Sequence, residues 1–296
     1  MELGKLKLVA SKFKDDEIKA RKHVGIEVLP KFPELIRDIS FLSNKLQNAG
    51  ISKGQLIGLQ ATNCYEWLIW DLAALEIGAK IIAFAEDDRR NCSEKITEYN
   101  LSLLICSREQ YEQAGKVAGC YPIDHVFDAS PDGLTQLESQ DFETTEFGVT
   151  NDQDDLHTKV FSSGTSGHIK GLNISRKGSE YLISKFNEKF NLTQQDSTII
   201  FLPLANYQQR LIAYSCLLSG ASFCITDIQS VFFALREYRP SFLIAPPVIY
   251  EKLLMLSPEP AMLAESIGDN VRFLITGMAP ICLLYTSDAA DEVLGV

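Results

Sequence analysis

The feature that most constrains the fold is the regular alternation of short apolar runs with amphipathic segments along most of the chain. Residues 32–48 carry apolar side chains at the three- and four-residue spacing of a helix, and the run at 55–59 is short enough for a buried strand. Strands and helices in this succession predict an α/β fold, built on parallel sheets that helices cover on both faces.

The alternation can be divided into explicit elements. We predict helices at 32–48, 65–77, 93–99, 176–190, 208–219, 229–238 and 247–256, and strands at 55–59, 80–84, 101–105, 198–201, 221–225, 241–245 and 271–275. Residues 129–156 are polar and acidic, which is typical of a surface connection. Trp67 and Trp70 lie at helical spacing beside leucines, so we interpret them as core residues rather than as a ligand platform.

Composition limits the classes of function. With 296 residues, of which 46% are hydrophobic, the chain can bury a sizeable core. The net charge of −11 argues against nucleic acid or an anionic membrane as a partner. No apolar run approaches the ~20 residues of a membrane span, and no secretory signal follows Met1, so we expect a cytoplasmic protein. The seven cysteines form no C-x-x-C pair and are expected to be reduced. The oligomeric state cannot be read from the sequence.

The segment Phe161-Ser-Ser-Gly-Thr-Ser-Gly-His-Ile-Lys-Gly171 concentrates hydroxyls, glycines and one lysine between two strand-like runs. Its glycines permit positive φ and close approach of the backbone to a ligand. Concave runs of backbone N–H groups bind anions, and the hydroxyls and the Lys170 ammonium add further donors. The segment therefore predicts a polyphosphate-binding loop at 162–171.

The loop has two other interpretations, a polar hairpin turn and a nucleoside-triphosphatase loop. A polar hairpin turn has a similar composition, since Ser, Gly and Thr are common turn residues. A nucleoside-triphosphatase loop requires G-x-x-x-x-G-K-[ST] leading into a helix. Here Ile169 precedes Lys170, Gly171 follows it and the exit is extended, so that second interpretation is excluded.

The loop resembles the phosphate-loop signature of the acyl-adenylate-forming superfamily, [ST]-S-G-[ST]-T-G-x-P-K-G. Three further segments resemble motifs of that superfamily and follow in the same order. Residues 201–210 are similar to the L-P-L-A-H-x-x-x-R run of long-chain acyl-CoA synthetases. Residues 238–252 are similar to the superfamily's R-P-T and V-P-x-I-Y-E-K segments, and residues 272–280 to the strand that enters its G-G-A-P turn. The chain departs from these patterns at Ser166, Ile169, Asn206 and Met278.

The resemblance implies a set of site residues. Nucleotide binding is expected from Ser162, Ser163, Gly164, Thr165, Ser166, Gly167, Lys170, Gly277, Ala279 and Pro280, with Thr165 also holding a metal ion, and substrate binding from Asn206, Tyr207 and Arg210. For Asn206 the alternative of a purely structural cap at a strand end stays open. The lysine that catalyses adenylation in the superfamily would lie in a C-terminal domain that this sequence does not contain.

The implied activity is ATP-dependent activation of a carboxylic acid to an acyl-adenylate, with Mg²⁺, followed by transfer to CoA. Residues 204–212 contain no acid that could pair with an α-amino group, which favours a fatty or aryl carboxylate over an amino acid. Two alternatives remain: a non-catalytic nucleotide- or acyl-binding truncated paralogue, and a luciferase-like or aryl-acid ligase.

The resemblance also implies the domain organisation. We interpret residues 1–281 as part of a large N-terminal adenylation domain with two helix-covered sheets, at 30–200 and 200–281, that are not independent. Residues 282–296 resemble a translated sequencing-library adapter and are expected to be a non-native tail, so this 296-residue fragment is expected to be inactive. The other interpretation is a genuine helix that begins at Ser287.

Overall fold

The computed structural model describes residues 27–28, 32–115, 117–126, 156–162, 170–256 and 259–277. The predicted surface connection, apart from residue 156, and the predicted tail at 282–296 lie outside these ranges. Within them, the order of helices and strands follows the predicted alternation closely.

The elements are labelled in chain order. The helices are α1 (Phe32–Asn48), α2 (Tyr65–Glu76), α3 (Cys92–Tyr99), α4 (Arg108–Gln113), α5 (Arg176–Phe190), α6 (Tyr207–Ser219), α7 (Val231–Tyr238), α8 (Pro247–Leu256) and α9 (Pro260–Ile267). The strands are β1 (Glu27–Val28), β2 (Leu56–Gln60), β3 (Lys80–Ala83), β4 (Leu103–Cys106), β5 (Cys120–Pro122), β6 (Leu156–Ser162), β7 (Lys170–Ser175), β8 (Ser197–Ile200), β9 (Ser222–Ile225), β10 (Phe242–Ala245) and β11 (Phe273–Thr276).

The first sheet has six strands in the order β5-β4-β2-β3-β6-β7. Five of them are parallel, as the alternation predicts, but β7 runs antiparallel to β6. The prediction of parallel sheets is therefore wrong at this edge. The reason is local, because a short loop joins β6 directly to β7, and neighbouring strands joined in this way must reverse direction.

The second sheet is built around β8 and β9, which are parallel, with β1 antiparallel at one edge. On the other side β10 begins beside β8: the Ser241 N–H donates to the Ser197 carbonyl at 2.8 Å, and the Thr198 hydroxyl donates to the Phe242 carbonyl at 2.9 Å. Strand β11 pairs in parallel with β10, and these two strands form a separate two-stranded sheet beside β8. Side-chain hydroxyls thus complete the junction between β8 and β10.

The core is arranged in layers. Helix α2 is buried along almost its whole length, and with α6 it packs between the facing sides of the two sheets. Trp67 and Trp70 are fully buried in this layer, which confirms that they are core residues. Helix α3 covers the outer face of the first sheet, and α7 and α8 cover the outer face of the second.

Four short elements were not predicted: α4, α9, β1 and β5. Helix α4 buries none of its side chains, and its sequence has no apolar period from which a helix could be predicted. Its start is marked by a capping box, in which Ser107 and Gln110 exchange hydrogen bonds. Among the described helices, none is long and apolar enough to cross a membrane.

Candidate functional site

The predicted phosphate-binding loop lies between two adjacent antiparallel strands. Ser162, the last residue of β6, is opposite Lys170, the first residue of β7, and Phe161 is opposite Gly171. This confirms that the segment joins neighbouring strands. The predicted ligands Ser163, Gly164, Thr165, Ser166 and Gly167 lie outside the described residues, and for Ser162 and Lys170 the structure gives the backbone alone.

The base of this hairpin is fixed by aromatic packing on the outer face of the first sheet. The Phe161 ring stacks on Phe84 with the centroids 5.6 Å apart and meets Tyr99 edge-on at 5.5 Å. The Arg90 guanidinium lies 5.8 Å from the Phe161 ring centroid. A methyl group on Gly171 would come within 3.4 Å of Phe161, so the glycine leaves room for the ring at the base of the loop.

The second predicted segment, 201–210, is held near its start by Asn63, which follows β2. The Leu204 N–H donates to Asn63 Oδ1 at 2.7 Å, and Asn63 Nδ2 donates to the Leu202 carbonyl at 2.8 Å. Asn206 then caps α6 by accepting a hydrogen bond from the Gln208 N–H at 3.2 Å. Asn206 is therefore the cap of a helix rather than the predicted cap at a strand end, and its contact with a substrate stays a prediction.

The third predicted segment begins at Gly277, immediately after β11. The Gly277 N–H donates to the Ala245 carbonyl at the end of β10 at 3.3 Å. A Cβ on Gly277 would lie 3.9 Å from Nε2 of Gln208, so the first turn of α6 approaches the start of the turn that follows β11. Ligands of α/β proteins usually bind at the carboxyl ends of the strands, which is where Gly277 lies. Ala279 and Pro280 lie outside the described residues.

Arg210 is fully buried inside the domain. Its Nη1 lies 3.0 Å from Asp71 Oδ1, and its Nη2 donates to the Thr158 hydroxyl at 2.9 Å. The Tyr214 hydroxyl donates to the other oxygen of Asp71. Burial disfavours the charge of Arg210, but the Asp71 carboxylate outweighs this effect and raises the pKa of the guanidinium. These contacts hold α6 against α2 and β6, and they place the guanidinium away from the surface.

A second buried chain of polar groups runs beside this ion pair. His157 Nδ1 lies 2.7 Å from Ser179 Oγ, which is also hydrogen-bonded to the Tyr207 hydroxyl. Burial, together with the charges of Arg210 and Arg176, lowers the pKa of His157 to about 3. Burial raises the pKa of Tyr207. Both His157 and Tyr207 are therefore neutral at pH 7.

These two networks connect the predicted site segments. His157 and Thr158 lie on β6, the strand that leads into the phosphate-binding loop, and Tyr207 and Arg210 lie on α6, which follows the 201–206 segment. Hydrogen bonds inside the domain thus fix the relative position of the loop strand and the helix.

The residues that position the site were not predicted from the sequence: Asn63, Asp71, His157, Ser179 and Gln208. One of them carried a signal. Asp71 interrupts an otherwise apolar helical run from Leu68 to Leu75. A charge there requires a buried partner, since an unpaired buried carboxylate is costly.

Comparison with known proteins identifies the family. A family model described as AMP-binding enzyme matches residues 31–285. The chain is 24% identical over 235 residues to fatty acyl-CoA synthetase A of Dictyostelium discoideum, covering 72% of this chain and 35% of that protein. It is 25% identical over 209 residues to tyrocidine synthase 1 of Brevibacillus parabrevis, covering 70% of this chain and 19% of that protein. The chain thus spans about a third or less of these two relatives.

Solved structures share the fold. One of them is O-succinylbenzoate coenzyme A synthetase of Bacillus subtilis in complex with AMP, which matches with a TM-score of 0.66 at 16% identity, over 86% of this chain and 63% of that chain. The match confirms the predicted fold class, the large N-terminal domain of an acyl-adenylate-forming enzyme.

Proposed function

Because the chain belongs to the AMP-binding enzyme family, we propose that it forms part of an enzyme that activates a carboxylic acid with ATP. The observation that carries the proposal is the β6–β7 hairpin, in which Ser162 is paired with Lys170 across the base of the loop. This pairing brings together the two ends of a segment of glycines and hydroxyl residues, and the backbone N–H groups of such a segment suit the phosphates of a nucleotide.

The reaction has two steps, activation of the acid and transfer of the acyl group to CoA. An oxygen of the substrate carboxylate attacks the α-phosphorus of ATP, the bond between the α-phosphorus and its bridging oxygen breaks, and pyrophosphate leaves. The thiol of CoA then attacks the acyl carbonyl of the acyl-adenylate, AMP leaves, and the thiol proton passes to solvent. The carboxylate is already ionised at pH 7, so the first step needs no general base.

The protein contributes positioning and neutralisation of charge. The loop from Ser162 to Gly167 would hold the phosphates with Lys170, and Mg²⁺ held by Thr165 would neutralise their oxygens. Gly277, Ala279 and Pro280 would form the wall against which the adenosine packs. The nearby first turn of α6 supports this assignment, because Gln208 lies beside Gly277.

For the acid itself we propose a fatty or aryl carboxylate, bound near Asn206 and Tyr207. Residues 204–212 contain no acidic side chain to pair with an α-amino group. Arg210 supports this pocket from inside, since its guanidinium is committed to Asp71 and Thr158. One relative is named as a fatty acyl-CoA synthetase, which is consistent with such an acid and with CoA as the acceptor.

A second candidate function is binding of a nucleotide or an acyl group without catalysis. It is favoured by three departures from the family motifs: Ile169 in the loop, Asn206 at the acyl segment and Met278 in the turn. Ile169 removes the rigid φ of proline, and Met278 places a side chain where the family motif has a glycine. Under this hypothesis the chain binds the nucleotide but exchanges no pyrophosphate.

The test is nucleotide binding by the 296-residue chain, measured by calorimetry with AMP and with ATP and Mg²⁺. Lys170→Ala should weaken ATP binding roughly tenfold to a hundredfold, the strength of one charge-assisted hydrogen bond. The matched control is Lys53→Ala, because Lys53 is exposed and precedes β2, at the opposite end of that strand from Asn63. Equal ATP affinities of the two variants would contradict the proposed role of the loop.

Pyrophosphate exchange separates the two candidate functions. ATP binding with acid-dependent exchange of labelled pyrophosphate supports activation of an acid. ATP binding without exchange, over a panel of fatty, aryl and amino acids, supports the non-catalytic alternative. A response confined to amino acids would contradict the proposed substrate class while leaving acid activation intact.

A further inference from the structure

Three buried cysteines converge on the outer face of the first sheet. Cys92 is the first residue of α3, Cys106 the last of β4, and Cys120 the first of β5. Their sulfur atoms all lie within 4.8 Å of one another, and those of Cys106 and Cys120 are 3.4 Å apart. Their exposed fractions are 8%, 0% and 3% respectively. We call these residues the thiol cluster; the nucleotide and acid sites described above use none of them.

The strand register argues against a disulfide within the cluster. Cys120 is paired with Leu104, and Cys106 is paired with Pro122, so the two cysteines are diagonal neighbours. Diagonal neighbours in a sheet have Cβ atoms about 7 Å apart, whereas a disulfide needs roughly 3.5–4.5 Å. The sulfurs approach closely only because the side chains point toward each other. An ion that binds each sulfur at about 2.3 Å can bridge them without moving the strands.

The cluster also has a cationic neighbour. Lys95 lies three residues after Cys92 on α3 and is buried, and its ammonium donates to Gln60 Oε1 at 2.6 Å and to the Asp88 carbonyl at 3.1 Å. The Lys95 ammonium also lies 3.8 Å from the Asp88 carboxylate, so its charge is already paired. The convergence of three buried sulfur atoms is therefore the observation that points to a metal ion.

We propose that Cys92, Cys106 and Cys120 bind a thiophilic metal ion, and that this ion is Zn(II). Soft thiolate ligands select Zn(II) or Cu(I) among the common metals. Three thiolates with Zn(II) carry a net charge of −1, whereas three thiolates with Cu(I) would carry −2. Because a buried charge is costly, the smaller charge favours Zn(II). A water molecule would supply the fourth ligand of a tetrahedral zinc.

Such an ion would join three elements that contact each other over short stretches. Strand β5 has three residues and lies at the edge of the first sheet, paired with β4 alone. A zinc bound by β4, β5 and α3 would fix this edge. Because the ligands converge in the folded state, binding stabilises the fold by mass action.

The test uses the reduced, metal-free 296-residue chain under argon. Zn(II) is titrated against a chromophoric chelator, and Co(II) is titrated as a spectroscopic substitute. We expect one equivalent of either metal, a cobalt spectrum of tetrahedral thiolate coordination, and a higher Tm with zinc. Cys92→Ser and Cys120→Ser should each weaken zinc binding at least about tenfold and abolish the rise in Tm.

The control variant is Cys216→Ser, because Cys216 is equally buried but lies on α6, outside the cluster. Cys92→Ser guards against a folding defect, since serine is well tolerated in the first turn of a helix. Zinc affinity that is unchanged in the cluster variants, or absent from the parent chain, would overturn the proposal. Tighter binding of Cu(I) than of Zn(II) in a matched competition would overturn the assignment to zinc. Formation of a Cys106–Cys120 disulfide in air, detected by mass spectrometry, would contradict the conclusion that the strand register argues against a disulfide.

Discussion

The guanidinium of Arg210 lies 3.0 Å from the carboxylate of Asp71, and neither side chain is exposed to solvent. The pair joins α6 to α2 between the two sheets, and Nη2 of Arg210 donates to the hydroxyl of Thr158 on β6, the strand that leads into the predicted phosphate-binding loop. A residue that the family motif predicts as a substrate contact is, in this fold, the centre of an interior network. We therefore expect Arg210 to affect the binding of a substrate through the position of α6.

The first prediction concerns this ion pair. Asp71→Asn keeps the shape of the side chain but leaves the charge of Arg210 buried without a counter-charge. Removing one partner of a buried pair costs about 3–5 kcal/mol of the free energy of unfolding, a large part of the total stability of a domain. Urea unfolding, followed by the fluorescence of the buried Trp67 and Trp70, measures the loss.

The matched control for Asp71→Asn is Glu188→Gln. Glu188 forms an ion pair with Lys185 at 2.6 Å, but both side chains are more than half exposed. Solvent screens such pairs, so the unfolding midpoint of this variant should stay close to that of the parent chain. Similar midpoints for the two variants would show that the Arg210–Asp71 pair adds nothing to the fold.

The second prediction concerns pH. His157 has a folded pKa of about 3, below the ordinary value of 6.5, because burial disfavours its protonated form. Between pH 6.5 and pH 3 the unfolded chain binds a proton that the folded chain does not, so stability falls as the pH falls. From pH 7 to pH 5 this loss amounts to about 2 kcal/mol.

The variant His157→Asn tests the assignment of that loss. Asparagine can replace the hydrogen bond to Ser179 but does not titrate, so the loss between pH 7 and pH 5 should be smaller by about 2 kcal/mol than in the parent chain. Other titrating groups, such as Glu76, are common to both proteins and cancel in the comparison. Parallel pH profiles for parent and variant would remove His157 as the cause.

How much of this could be predicted from the sequence depends on the range of the interactions. The apolar period of α1 and α5 predicted their bounds, and the position of the loop between two strands followed from the apolar runs around it. These are local signals. The partners Arg210 and Asp71 are 139 residues apart in the chain, so no local pattern connects them. The thiol cluster has no motif spacing for the same reason, since the alignment of β4, β5 and α3 alone brings its members together.

The third prediction separates the two roles of Asn206. Asn206→Ala removes the cap of α6 and should cost about 1 kcal/mol of the free energy of unfolding, whereas Asn206→Ser keeps a capping oxygen and should cost little. Asn91→Ala, which removes the cap of α3, is the control, with a similar loss of stability and no effect on binding of the acid. If Asn206→Ser also binds acid and nucleotide as the parent does, Asn206 is a cap alone.

The last prediction compares Gly277, where there is room for a Cβ, with Gly268, where there is not. A Cβ on Gly277 would meet Gln208 Nε2 at 3.9 Å, an ordinary contact, so Gly277→Ala should leave the free energy of unfolding nearly unchanged. Gly268 has a φ of +87°, and a Cβ there would lie 2.9 Å from the Arg239 Cβ, so Gly268→Ala should cost about 1–2 kcal/mol or more. The residues proposed to contact the nucleotide begin at Gly277, so a methyl group there should weaken AMP binding. Under conditions in which the Gly268→Ala variant is folded, that variant should bind AMP as the parent chain does. Thermal unfolding and calorimetric titration with AMP measure both effects on the same samples. A Gly277→Ala variant that loses stability but binds AMP normally would show that the start of this turn serves the fold and does not line the nucleotide site.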